Sequence, residues 1–203
     1  MTIDEIMTMA PVIPVLVLNG AHDPAELAST LVVAGLPVIE VTLRTPGALA
    51  AIEAMATIPG AIVGAGTVLN APQLDDALSA GARFIVSPGL TEPLGRAAIA
   101  RGVPYLPGVA TSADIMRGLD LGLDRFKFFP AEAAGGLAAL KALAAPFGDV
   151  RFCPTGGIRE ETAPLWLAQP SVLCVGGSWI VPSGEKDLAA IGACAQAAAT
   201  LSR

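Results

Sequence analysis

A glycine followed shortly by an apolar run recurs along this chain, as AGLPVIEVTL, PGAIVGAGTV, AGARFIVSPG, RGVPYLPGVA, LGLDRFKFFP and FGDVRFCPTGG. The leading glycines are Gly35, Gly60, Gly81, Gly102, Gly122 and Gly148. They stand roughly 20 to 26 residues apart, the length of one strand-plus-helix unit. A glycine in that place can close the preceding helix in the left-handed conformation. The apolar run is then a strand, and an alanine-rich helix follows it. PVIPVLVL near residues 11 to 18 and SVLCVGGSW near residues 171 to 179 bring the expected strands to eight.

Alternating strands and helices imply a parallel sheet. Eight of them predict a closed (β/α)8 TIM barrel in a single domain spanning residues 1–203, with a helix over Ile3–Met9 capping its bottom. An open doubly wound sheet is the alternative, but it predicts a glycine-rich first loop, and LNGAHDPAE is not one.

Composition narrows the function classes. Hydrophobic residues make up 53% and aromatics 4%, so the core is aliphatic and alanine-rich. The long uncharged stretches, Ala54–Leu74 and Thr162–Gly184, are cut by Pro59, Gly60, Gly66, Pro164, Pro170 and Gly177, so neither reads as a membrane-spanning helix. MTIDEIMTMAPV is acidic where a signal peptide is basic, which points to the cytoplasm. Cys153, Cys174 and Cys194 are odd in number and widely spaced, so they predict neither a disulfide framework nor a metal site. A net charge of −6 with no basic tract disfavours nucleic acid as a partner. The lone histidine, His22, precedes Asp23-Pro24 and reads as a loop residue before a helix.

In such barrels active sites lie at the C-terminal ends of the strands. Strand two reads Val38-Ile39-Glu40-Val41-Thr42-Leu43-Arg44. Side chains alternate between faces, so Ile39, Val41 and Leu43 should meet the helices while Glu40, Thr42 and Arg44 face the barrel interior. Glu40 and Arg44 could simply be a structural ion pair at the mouth. In strand six, Arg125–Phe129, the same alternation sends Lys127 inward, opposite Phe126 and Phe128. A poorly solvated ammonium yields to the neutral amine, a nucleophile able to form a Schiff base with a carbonyl. A lysine snorkelling outward at the strand's end fits the same pattern.

Strand seven ends in Pro154-Thr155-Gly156-Gly157 and strand eight in Gly176-Gly177-Ser178. Glycine pairs let backbone N–H groups approach an anion, and loops seven and eight of these barrels commonly hold phosphate. Tight turns without a ligand fit them as well. Gly64-Ala65-Gly66-Thr67 and Ser87-Pro88-Gly89 should leave room at the mouth, where Thr67 could donate to a carboxylate.

EVTLRT, VGAGTVLN, SPGLTEP, FKFFPAE, FCPTGG and VGGSW, in that order, resemble the 2-keto-3-deoxy-6-phosphogluconate (KDPG) aldolase family over Ala10 to Val181. The resemblance implies a metal-free, cofactor-free class I aldolase on an eight-stranded barrel, usually a homotrimer. Its substrate would be a phosphorylated 2-keto acid cleaved to pyruvate and glyceraldehyde 3-phosphate, with 4-hydroxy-2-oxoglutarate often accepted too. Carried over by position, it makes Lys127 the Schiff-base lysine and Glu40 the general acid/base. Arg44 and Thr67 would hold the substrate carboxylate; Gly156, Gly157, Gly177 and Ser178 would hold phosphate. Pro88, Phe129 and Thr155, at the ends of strands four, six and seven, complete the substrate-binding set. Ala134, where a polar residue is expected, departs from the pattern. The rivals are a 6-phosphogalactonate aldolase, a phosphate-binding barrel isomerase without an imine, and a non-catalytic sugar-phosphate binder.

Overall fold

The structure is a computed structural model and describes residues 1–202. A first helix, α1 (Ile3–Thr8), leads into β1 (Val12–Leu16), α2 (Pro24–Val33), β2 (Val38–Thr42), α3 (Ala48–Ala56) and β3 (Ile62–Gly66). Then come α4 (Ala71–Ser79), β4 (Phe84–Ser87), α5 (Glu92–Ala100), β5 (Tyr105–Val109), α6 (Ser112–Asp120) and β6 (Arg125–Phe128). The chain ends with α7 (Gly136–Ala144), β7 (Arg151–Pro154), α8 (Ala163–Leu167), β8 (Val175–Gly177), a 3-10 turn at Ser178–Ile180 and α9 (Leu188–Ala199). The strands pair in parallel in the order β7-β6-β5-β4-β3-β2-β1-β8. Isolated parallel bridges, Phe152 to Val172 and Thr155 to Gly176, close the ring between its two ends. The alternating pattern of the sequence is thus a (β/α)8 barrel.

Of the six leading glycines, Gly35, Gly60, Gly81, Gly102 and Gly122 have positive φ, as helix-closing residues should. Gly148 is the exception. The helix before it already ends at Ala144, two residues ahead of Pro146, so no left-handed closure is needed at 148.

Alternation along the strands splits the apolar residues into two bodies. Ile39, Val41, Phe126, Phe128 and Phe152 join helix residues such as Leu31, Ile52 and Trp166 in the layer between barrel and helices. Ile13, Val38, Ile62, Phe84, Leu106, Cys153 and Cys174 fill the barrel itself, together with Ile6 and Met7 of α1. The first helix is therefore the floor of the barrel, as expected. Thr2 and Glu5 form a capping box at its start, and Asp4 bonds Arg125 Nε at 2.6 Å, fixing it against the first residue of β6. That strand carries Lys127 two residues further up.

The glycines of β3 do not leave an open mouth. A side chain at Gly64 would run into the Phe84 ring, and one at Gly66 into the Glu40 carboxylate. Their space holds the Phe84 ring of β4 and the Glu40 carboxylate.

Tyr105 lies outside the barrel wall, 3% exposed, with its hydroxyl 2.6 Å from Ser87 Oγ. Ser87 in turn donates to the Gly89 carbonyl at 2.7 Å, which pins the turn after β4. Burial pushes the phenol up to about 12, and the Ser87 hydrogen bond only partly opposes it. With the folded value above the unfolded one, this residue's share of stability is whole below about pH 10 and is lost as pH rises through about 12. That share is on the order of 2–3 kcal/mol. The chain has a single tyrosine, so phenolate absorbance reads it alone. We expect ionisation near pH 12 in the folded protein; a midpoint near 10 with the fold intact would refute this.

Candidate active site

Inside the barrel Lys127 Nζ donates to both oxygens of Glu40, at 2.9 and 3.1 Å. The pair joins β2 to β6 across the barrel. Lys127 is 5% exposed and Glu40 3%. Two desolvated charges hold only if each satisfies the other, and this contact does so. Around it, Phe126 and Phe128 point the other way into the helix layer, and burial of each contributes roughly 2–3 kcal/mol that offsets the cost of the polar pair. Phe129 follows the strand, and its ring centroid lies 5.4 Å from Lys127 Nζ.

One expectation changes here. Strand two was expected to reach Arg44, with Arg44 facing the interior beside Glu40. The strand ends at Thr42, whose hydroxyl bonds the Leu16 carbonyl at 2.7 Å, and Leu43-Arg44 form a turn. Arg44 is exposed at the rim, so the ion pair within the barrel is Glu40 with Lys127, not Glu40 with Arg44. The turn is written in Thr45-Pro46-Gly47, which stops the strand early. Lys127, for its part, does not snorkel outward; it projects into the barrel against the carboxylate.

Arg44 and Ser178 line one cleft of about 440 Å³ at the mouth, together with His22 of the first loop. Among the described residues no carboxylate lies within ion-pair distance of Arg44. Pro88 and Phe129 line a second cleft of about 340 Å³ that shares no residue with the first, with Val68, Gly108 and Asp114. Thr67 stands just past β3 with φ 60°, a left-handed turn that few non-glycine residues adopt.

The two glycine pairs differ. Gly156 and Gly157 have φ of 104° and 81° and form the turn after β7, with Gly157 exposed. Thr155 is buried below them, its side chain in the space a residue larger than Gly176 would need. Gly177 is buried within β8, and a side chain there would lie 2.7 Å from the Trp179 ring and 2.8 Å from Val12. Packing alone thus accounts for glycine at 176 and 177, whereas the turn at 156–157 has an exposed, left-handed backbone. Ser178 is exposed at the first position of the 3-10 turn. Ala134 packs partly buried against the core. Cys153 and Cys174 are small residues of the barrel core, as expected.

Sequence reasoning gave no role to Glu132 or Trp166. Glu132 stands in the FKFFPAE motif, but its contacts lie far off along the chain, and no local periodicity marks them.

Comparison with known proteins adds to the geometry. The KDPG and KHG aldolase family model matches residues 3–194. The chain belongs to this aldolase family. It is 59% identical over 201 residues to 2-dehydro-3-deoxy-phosphogluconate aldolase of Zymomonas mobilis, covering 99% of this chain and 97% of that protein. The crystal structure of the Zymomonas mobilis ZM4 KDPG aldolase with 3-phosphoglycerate superposes with a TM-score of 0.97 at 59% identity, over 99% of this chain and 96% of that one. The KDPG aldolase of Legionella pneumophila, with pyruvate captured as a covalent carbinolamine, superposes with a TM-score of 0.95 at 43% identity, over 98% and 99% of the two chains. The aldolase family thus accounts for the barrel along nearly the whole chain. Among the described residues no helix is long and apolar enough to cross a membrane.

Proposed function

We propose that this aldolase cleaves 2-dehydro-3-deoxy-6-phosphogluconate to pyruvate and glyceraldehyde 3-phosphate through an imine on Lys127, the cleavage step of the Entner–Doudoroff pathway, and that it also accepts 4-hydroxy-2-oxoglutarate. The observation that carries this reading is the buried contact of Lys127 Nζ with Glu40, 2.9 Å, at the centre of a family barrel. A nucleophile in hydrogen-bond reach of a base is the arrangement that covalent catalysis needs. The family resemblance supports a homotrimer, and the acidic N-terminal stretch with three widely spaced cysteines supports the cytoplasm.

The amine must lose a proton before it can attack, and Glu40 is the acceptor in contact with it. Neutral Nζ adds to the C2 ketone, and the oxygen takes up a proton to give a carbinolamine. Glu40 returns a proton to that hydroxyl, water leaves, and a protonated imine remains. Glu40 then takes the C4 hydroxyl proton, directly or through one water. The C3–C4 bond breaks, its electrons pass into the imine, and an enamine and the aldehyde result. Protonation at C3 and addition of water release pyruvate and restore the amine. Arg44 and Thr67 are the proposed holders of the substrate carboxylate. The Gly156–Gly157 turn, with Thr155, Gly177 and Ser178, is the proposed phosphate end, and Pro88 and Phe129 border the carbon chain. Remote binding of the phosphate would serve to orient the reacting bond.

Incubation with pyruvate and borohydride, followed by peptide mapping, tests the first step. The expected result is one reduced pyruvyl group on the Lys127 peptide. No adduct, or one confined to Lys141 or Lys186, would refute the imine on Lys127.

A further inference from the structure

The loop after β6 meets the turn after β7 through Ala131 and Glu132, two residues that the chemistry above does not use. Ala131 N–H donates to the Thr155 carbonyl at 2.8 Å and Glu132 N–H to the Gly156 carbonyl at 3.0 Å. The Glu132 side chain then passes beside Gly157, where an added Cβ would meet its Cβ and Cγ at 2.8 Å. Its carboxylate accepts from Trp166 Nε1 at 3.3 Å, across 34 residues of sequence. Trp166 is itself a fixed point, 2% exposed in the helix layer, with its ring 6.3 Å from that of Phe128 on the lysine strand.

We propose that Glu132 is a positioning residue for phosphate: it holds the Gly156–Gly157 turn in its left-handed form by anchoring it to the buried indole of Trp166. This rests on the reading that the turn takes the substrate phosphate. Two successive residues with positive φ are free to rearrange unless something over-determines them. Here one side is fixed by the backbone bond from Glu132 and the other by the methylenes of the same residue. The anchor is a single acceptor on a buried N–H, so its removal leaves that N–H without a partner and frees the side of the turn. Nothing in this linkage touches the Lys127–Glu40 pair, so its loss should weaken phosphate binding without changing imine chemistry.

The test is a comparison of two substrates on the full chain, one phosphorylated (2-dehydro-3-deoxy-6-phosphogluconate) and one not (4-hydroxy-2-oxoglutarate). For Glu132→Ala the KM of the phosphorylated substrate should rise about tenfold or more. Its kcat, both constants for the unphosphorylated substrate, and pyruvate trapping by borohydride should stay within about twofold. Glu132→Gln keeps an acceptor for the indole and should restore the KM. Gly157→Ala separates the two readings, because a side chain at φ 81° strains the turn even without its clash against Glu132, and it should raise the same KM. If Gly157→Ala raises that KM while Glu132→Ala leaves it unchanged or weakens both substrates alike, the positioning role is overturned and the phosphate site stands. If neither variant distinguishes the substrates, the phosphate site and the positioning role both fall.

Discussion

Replacing Lys127 with alanine should abolish aldol cleavage, by at least about four orders of magnitude in kcat, since the other two lysines, Lys141 and Lys186, are exposed and stand on α7 and on the loop before α9. A second effect accompanies the first. Glu40 is 3% exposed and bonded to Lys127, so the alanine variant strands a buried carboxylate. Removing one partner of such a pair costs roughly 3–5 kcal/mol. Loss of activity in Lys127→Ala could then be loss of fold. The double variant Lys127→Ala/Glu40→Gln removes the stranded charge and should recover most of the stability while remaining inactive. Circular dichroism and thermal unfolding measure the recovery, and a coupled assay for pyruvate measures turnover. Near-normal turnover in either variant would end the imine mechanism.

Glu40→Gln alone should lower kcat by roughly 10²- to 10⁴-fold, the usual range for losing a positioned acid/base. The amide can still occupy the space beside Gly66 and contact Lys127, so the site keeps its shape. It cannot accept a proton from the amine or from the C4 hydroxyl. Some imine should still form with pyruvate, because a single slow addition can draw on water. The expected pattern is therefore a reduced but detectable borohydride adduct together with a far larger loss of cleavage. Equal losses in trapping and cleavage would place Glu40 in amine activation alone. Unchanged cleavage would remove it from the mechanism.

Much of this site could be read from alternation along two strands. Glu40 and Lys127 lie 87 residues apart, yet the period of two, applied to Val38–Thr42 and Arg125–Phe128, aimed both side chains into the barrel. The strands and their closure into a barrel came from the recurring glycine-plus-apolar-run pattern, and the six-motif resemblance supplied the substrate and the role of each residue. What alternation could not give is where a strand stops. Arg44 has the parity of Glu40, but Leu43 N–H makes the last bond to β3, at 2.8 Å to the Gly66 carbonyl, and the chain then turns at Thr45-Pro46-Gly47. Parity has no meaning past that bond. Nor could a local pattern reveal the partner of a buried acid, because closure of the ring decides whether Glu40 meets Arg44 beside it or Lys127 opposite. The Gly176-Gly177 pair shows a further limit. Glycine reads the same in a sequence whether it makes room for a ligand or for Thr155 and Trp179. The link from Glu132 to Trp166 lies outside any window a local rule inspects.

The join between β7 and β8 bears on how the molecule keeps to itself. A ring of strands has no edge, but this one is closed at that point by isolated bridges, not by a continuous ladder. If any part of the barrel offered unpaired backbone groups to another chain, it would be there. The two strands concerned are poor templates for such a contact. One is three residues long and the other is four, ending in Pro154, which has no N–H to give. Short strands and a proline at the seam are a defence against aggregation, placed where the barrel would otherwise be most adhesive.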